Sequence, residues 1–167
     1  MVFKMETNNS KKIIIIVAII IAIIVAILLI INRKPALNYT IGKAKKGTEG
    51  ILISSKKELD DLNKQININD NLETNNYKKT TLSEKYNDEF FKNNKLAVIA
   101  VYEDDSKEYI HSIDEVKYDS NKTSATINYT YKQDIYIGTL GNSWYTVMLV
   151  ELKPEVSSVN FVNLAKK

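Results

Sequence analysis

The chain has 167 residues, 44% of them hydrophobic, with no cysteine, one histidine and a net charge of +3. This length fits one domain of ordinary size. The absence of cysteine excludes disulfides, thiolate metal sites and a cysteine nucleophile. Residues 1–35 hold five basic residues and one acidic residue, whereas residues 36–167 hold 18 lysines and 19 acidic residues. Because this larger part has no clustered basic surface, we expect no nucleic-acid partner.

Residues 13–31 are all Ile, Val, Ala or Leu. As an α-helix they span roughly 28 Å, close to the hydrocarbon thickness of a bilayer. A lone strand would leave main-chain polar groups unsatisfied in lipid, so a helix is favoured. The run is longer than the apolar part of a signal peptide, and residues 32–35 offer no cleavage site. The sequence therefore predicts an uncleaved transmembrane anchor, with the lipid bilayer as one partner, after a short tail at residues 1–12.

Basic residues on the two flanks of this segment bear on orientation. Three lysines precede it, and five basic residues follow it: Lys4, Lys11 and Lys12 before, and Arg33, Lys34, Lys43, Lys45 and Lys46 after. A literal count of lysine and arginine slightly favours a domain on the inside. A short tail that ends in two lysines is, however, the layout of a signal-anchor. We expect a single-pass protein of the cell membrane with an extracytoplasmic domain.

The domain is predicted at residues 48–163, after a linker at residues 32–47 and before a tail at residues 164–167. A strand is predicted at residues 49–54, followed by a helix that Ser54 or Ser55 caps. The apolar residues of this helix share one face, and they are Leu59, Leu62 and Ile66.

Residues 67–76 are rich in Asn and Asp and predict an exposed loop. Thr81 and Glu84 have the spacing of a capping box, which predicts the start of a second short helix. Its apolar residues recur every fourth position and therefore lie along one face; they are Leu82, Tyr86 and Phe90.

From residue 96 onward the pattern is that of strands. Residues 96–101 are apolar at every position, as in a strand covered on both faces. A period of two then predicts four strands, at residues 109–118, 124–131, 144–152 and 156–162. We therefore predict an α+β fold with a mostly antiparallel, barrel- or sandwich-like sheet of about six strands and two short helices.

The stretch that joins the second helix to the first long strand resembles a known family. The pattern is Tyr, two adjacent Phe, a polar turn and an apolar strand, carried here by Tyr86, Phe90, Phe91, Leu96, Val98 and Ile99. It is similar to the C-terminal domain of protease-complex subunits of the PrcB type, found in bacterial exported proteins. The resemblance implies a binding module without catalytic residues that associates with another protein, such as a protease.

Few residues are candidates for chemistry. His111, the one histidine, lies on an alternating strand, where histidines are mostly surface residues, and a catalytic role would need Asp114 or Asp119 and a nearby nucleophile. Glu103, Asp104 and Asp105 lack the spaced acidic pattern of a calcium loop and are interpreted as a solvated turn. We predict no catalytic residue, no metal site and no cofactor.

Exposed aromatic residues are better candidates, because they mark interfaces. Phe90 and Phe91 cannot both face inward on one helix, which selects Phe91. Trp144 and Tyr145 are neighbours on a strand and point to opposite faces. Tyr136 precedes a glycine-containing loop. The predicted interaction residues are thus Phe91, Tyr136, Trp144 and Tyr145.

Three functions remain open. The leading hypothesis is a membrane-anchored, non-enzymatic protein-interaction module on a bacterial cell surface, associated with a protease or an envelope complex. The second is an enzyme whose carboxylates act on envelope polymers, which a deep carboxylate-lined pocket would favour. The third is a structural subunit of a surface assembly.

Overall fold

The computed structural model describes residues 15–25, 37–104, 107–136 and 142–166. The chain divides into two compact units, residues 1–36 and 37–167. In the first unit, residues 15–25 form helix α1, inside the predicted anchor. Residues 13, 14 and 26–31 of that anchor, and the tail at residues 1–12, lie outside the described residues. Across the described ranges, no helix combines the length and the apolar character needed to cross a bilayer.

The second unit is built on a large sheet. Its strands are β1 (Tyr39–Ala44), β2 (Thr48–Ile53), β3 (Leu72–Thr74), β4 (Lys79–Thr80), β5 (Lys95–Asp104) and β8 (Ser143–Leu152). They lie in the order β2-β5-β8-β1-β3-β4, and every neighbouring pair is antiparallel.

A small sheet and three helices complete this unit. The small sheet consists of β6 (Lys107–Tyr118), β7 (Ser124–Tyr136) and β9 (Ser158–Asn163) in that order. β6 and β7 are antiparallel, whereas β7 and β9 are parallel. The helices are α2 (Lys56–Ile66), α3 (Leu82–Lys85) and α4 (Asp88–Asn93), and a 3-10 turn follows at Leu164–Lys166. The predicted α+β class with a mostly antiparallel sheet is confirmed.

Two apolar cores hold the layers together. The helices cover one face of the large sheet, where the predicted apolar face of α2 packs on residues such as Leu96 and Val98 of β5. The small sheet covers the other face, where Ile99 of β5 and Met148 of β8 pack against Ile127 of β7. β5 is thus buried on both faces, as its continuous apolar sequence predicts.

Side chains at the helix starts explain where the helices lie. The Ser55 hydroxyl accepts a hydrogen bond from the Glu58 amide at 3.2 Å, and Thr81 and Glu84 form the predicted capping box. The predicted second helix is nevertheless two helices. Asn87 caps α4 through its side chain, which accepts from the Phe90 amide at 3.1 Å. This new start separates α4 from α3.

The predicted linker and loop differ most from the structure. Residues 39–44 of the expected linker form β1, which pairs with β8 on one side and with β3 on the other. Residues 72–74 of the expected loop form β3. The compact unit accordingly begins at Leu37 rather than at residue 48. β1 looks like a linker because the residues that it turns to the helix layer are small, namely Thr40, Gly42 and Ala44.

Candidate functional site

The small sheet is narrower than the large sheet on which it packs. At one side, β9 approaches β2, where Gly50 lies directly against the ring of Phe161. At the other side, residues of β1, β3 and β8 in the large sheet and of β6 in the small sheet line a groove with a volume of about 890 Å³. We name it the β6 groove.

The floor of the β6 groove comes from the large sheet and its wall from β6. Floor residues are Tyr39, Ile41, Lys43, Glu73 and Thr146, and wall residues are Tyr109, His111 and Ser112. The register explains the floor, because Ile41 pairs with Glu73 on one side and with Met148 on the other, which places these side chains on one face.

Glu103 and Trp144 close one end of the groove. They are directly opposite each other on β5 and β8, and the Trp144 indole Nε1 donates to Glu103 Oε2 at 3.2 Å. Glu103 is only 4% exposed. The interpretation of Glu103 as part of a solvated turn is therefore wrong, because β5 continues through this residue and turns its side chain toward the small sheet.

His111 lies next to this buried carboxylate. Its Nδ1 is 3.6 Å from Glu103 Oε1. Both atoms are buried, and neither has a hydrogen-bond partner among the described residues. A buried polar atom without a partner costs free energy. The end of the groove therefore carries polar groups that a small shift of the imidazole, or a bound group, would satisfy.

The pairing of His111 differs from the one the sequence suggests. Asp114 accepts hydrogen bonds from the hydroxyls of Ser112 and Thr130, each at 2.8 Å. Asp119 accepts from the Ser124 amide at 3.1 Å, in the β6–β7 turn. A carboxylate beside an imidazole is also the arrangement of a general base. The nearby Ser112 hydroxyl, however, is directed to Asp114 and not to the imidazole.

Lys43 covers the outer face of Trp144. Its Nζ lies 3.6 Å from the centroid of the indole ring, within the range of a cation–π interaction. Lys43, Trp144 and Glu103 thus form a row of ammonium, aromatic ring and carboxylate across β1, β8 and β5. Lys43 contacts the face of the indole and Glu103 its N–H edge.

The groove carries more negative than positive charge. Glu73 and Glu103 line it, and Lys43 is the one lysine among the described lining residues. The pKa of Tyr39 is raised, mainly because burial disfavours the phenolate, and additionally because of Tyr77 and the Asp114 carboxylate. These charges favour a cationic ligand over an anionic one.

No protein-family model, no curated protein and no solved structure matches this chain. The site must therefore be interpreted from its own geometry and chemistry. The resemblance to PrcB-type domains stays a prediction.

The structure describes the side chains of three of the four predicted interaction residues, and they lie on both sides of the large sheet. Phe91 is half-buried against the helix-side core, in edge-to-face contact with Phe90 at 5.0 Å. Both rings reach this core because α4 starts anew at Asn87. Tyr145 is half-buried on the same side of the large sheet. Trp144 lines the β6 groove. The main chain of Tyr136 ends β7, and its side chain lies outside the described part of the structure.

A metal site was not expected, and within the described ranges no group of three or more His, Asp or Glu residues is placed to hold an ion. The absence of a metal and of a cofactor stays a prediction. Three tyrosines are among the groove residues that the sequence did not single out. Tyr39 and Tyr109 resemble the other tyrosines that strands contain, whereas Tyr77 lies in a turn.

Tyr77 is the most unusual of these residues. It lies in the turn between β3 and β4 with a φ of 59°, a left-handed conformation that is costly for a tyrosine. Its side chain is 86% exposed at the rim of the groove. An exposed aromatic ring on a strained main chain gives nothing obvious to stability, which favours a role in contact.

Replacing Tyr77 with asparagine is expected to raise the free energy of unfolding by about 0.5–1 kcal/mol, because asparagine tolerates the left-handed region. Urea denaturation of the two proteins measures the difference. Tyr102→Asn is the matched control, since Tyr102 is also exposed but lies on β5, and its ring contacts Tyr145. That control should lose stability. A loss of stability in Tyr77→Asn would contradict the assignment.

Proposed function

We propose that this protein is a single-pass, membrane-anchored interaction module that binds part of another protein in the β6 groove. Residues 13–31 serve as the transmembrane anchor, and the sandwich-like α+β domain lies on the outer side of a bacterial cell membrane. The partner is a protease or another component of an envelope complex. The open, aromatic-lined groove beside β6 is the observation that carries this proposal.

The composition of the groove supports binding to a protein. Tyrosine and tryptophan are enriched at protein interfaces because they combine a large apolar surface with a polar tip. Tyr39, Tyr77, Tyr109 and Trp144 all line this groove. Its volume of about 890 Å³ is ample for several residues of a partner chain.

The polar groups of the groove favour binding over catalysis. Glycoside hydrolysis, the model for carboxylate chemistry on envelope polymers, uses two carboxyl groups that flank the reacting bond. Here Glu103 is buried and bonded to Trp144, whereas Glu73 is exposed on the floor. The Ser112 hydroxyl donates a hydrogen bond to Asp114. These residues do not form an acid and a base on opposite sides of a substrate.

Site-specific photo-crosslinking in native membranes tests the proposal. A photoreactive phenylalanine analogue replaces Tyr77 in the full chain, and crosslinked products are identified by mass spectrometry. The same analogue at Asn121, exposed in the β6–β7 turn, is the control. We expect one partner protein to be captured from position 77 and not from position 121. Recovery of the uncrosslinked protein alone from both positions would overturn the proposal.

A further inference from the structure

β6 presents an edge that no described strand covers. In the small sheet, β6 pairs with β7 on one side only. An edge strand can accept a further strand through its main-chain N–H and C=O groups. Binding of an extended peptide in this way is a common mode of recognition. The edge of β6 borders the groove, because Tyr109, His111 and Ser112 of β6 line it.

The hydrogen bonds of Tyr131 establish which groups of β6 point to this edge. The Tyr131 amide donates to Asn163 Oδ1 at 3.1 Å, and the Tyr131 carbonyl accepts from Asn163 Nδ2 at 3.0 Å. The main chain of Tyr131 therefore faces β9. His111 is directly opposite Tyr131 in an antiparallel pair, so its own N–H and C=O face away from β7.

Main-chain groups two residues further along β6 have the same orientation. Ile113 is opposite Tyr129, so its main-chain groups also point toward the groove. The register of β6 with β7 is regular from Tyr109 to Ile113 and shifts on both sides of this stretch. Bulges make a strand edge unsuitable for further pairing. The edge between these shifts includes His111 and Ile113, and His111 and Ser112 of this stretch line the groove.

Charge identifies the kind of segment that fits. The lining carboxylates are Glu73 and Glu103, and the Asp114 carboxylate acts on Tyr39 in the floor. The ammonium of Lys43 is already engaged with Trp144. Because Glu103 is buried and bonded to Trp144, a lysine or arginine side chain on the incoming segment would meet the exposed Glu73 carboxylate, whereas a glutamate would meet a like charge.

We propose that the occupant of the β6 groove is an extended, basic segment of a partner protein that pairs with His111 and Ile113 as a fourth strand of the small sheet. This proposal rests on the proposed function. Contact of the segment with His111 also offers a way to close the gap of 3.6 Å between His111 Nδ1 and Glu103 Oε1. That movement would satisfy both buried atoms.

Tethered peptides test this proposal even if a free peptide would bind weakly, because a tether supplies a high effective concentration. The natural chain has no cysteine, so Asn76→Cys in the full chain places one thiol at the turn beside the groove. Three peptides compete for it by thiol–disulfide exchange, each with a flexible spacer and a terminal cysteine supplied as a mixed disulfide with a small thiol, which is released. The first alternates lysine and threonine, the second has glutamate for lysine, and the third is the lysine peptide with methylated main-chain amides.

We expect the unmodified lysine peptide to be retained about tenfold more than either competitor. We also expect slower hydrogen exchange at the amides of His111 and Ile113 with this peptide alone. Asn121→Cys at the far turn is the control and should show no preference. Equal retention of the methylated lysine peptide would overturn strand addition, and equal retention of the glutamate peptide would overturn the basic character.

The two tests fail in different ways. If position 77 captures a partner but the tethered peptides are not distinguished, strand addition is wrong and the proposed function stands. If position 77 captures no partner, the proposed function itself is wrong.

Discussion

A fragment of residues 47–167 is expected not to fold, whereas a fragment of residues 37–167 is expected to unfold in one cooperative transition. The two differ by β1, which lies between β8 and β3 in the large sheet. Without it, the six residues of β8 that pair with β1 lose their ladder on that side. The buried Thr40–Tyr86 contact is lost as well. Because the whole stability of a domain is about 5–15 kcal/mol, loss of a central strand should abolish it.

Circular dichroism during urea titration measures this difference. The longer fragment is the control for solubility and for the absence of residues 1–36, which form a separate unit. If the two fragments unfolded at the same urea concentration with the same cooperativity, β1 would have no structural role. Residues 39–44 would then be the linker that the sequence suggests.

The stability of the domain is expected to fall steeply with pH above about 10, and Tyr86 is expected to cause a large share of that fall. Tyr86 is fully buried. Burial raises the pKa of its phenol, the negative charge of Glu151 adds to the rise, and the hydrogen bond with Thr40 opposes it. Tyrosine in an unfolded chain ionises near pH 10. Above that pH the unfolded state therefore loses a proton that the folded state retains, and unfolding is favoured by about 1.4 kcal/mol per pH unit.

Tyr86→Phe is expected to be less stable than the natural protein at neutral pH, because Thr40 loses its partner at 2.9 Å. The fall in its stability above pH 10 should be shallower by about 1.4 kcal/mol per pH unit. Thr40→Val is the matched control, since it removes the same hydrogen bond but keeps the ionisable group. Urea denaturation between pH 8 and pH 12 measures both variants. Equal slopes in Tyr86→Phe and Thr40→Val would show that Tyr86 ionises without unfolding.

Much of the fold could be predicted because burial follows a period along the chain. The alternation in β7, the apolar face of α2 and the continuous apolar run of β5 each identify an element together with the faces that it buries. All three are confirmed. These elements contribute large apolar side chains, which make the period visible.

The elements that could not be predicted have weak side-chain signals. β1 turns small residues to the helix layer, and β3 and β4 are three and two residues long. Such strands are formed by pairing with neighbours that are distant in sequence, such as β1 with β8. A local pattern does not carry that information. The parallel pairing of β7 with β9 likewise depends on how the chain returns from the large sheet.

The groove was less predictable than the fold, because it depends on how the small sheet is placed on the large sheet. Trp144 was predicted as an interaction residue and does line the groove, whereas Phe91 and Tyr145 pack on the opposite side of the large sheet. Glu103 precedes two further acidic residues, so the sequence does not indicate that it is buried. His111 gains its neighbour only when β6 packs over β5.

The parallel position of β9 has a consequence for the order in which the wall of the groove becomes stable. β6 and β7 form a hairpin, and an isolated two-stranded hairpin is marginal in water. Support for β7 comes from residues 158–163, which a ribosome adds after every other strand of the domain. During synthesis, the wall that a partner would contact thus gains its third strand last. A chain that stops before β9 keeps the floor sequences of the groove but lacks the strand that holds the wall.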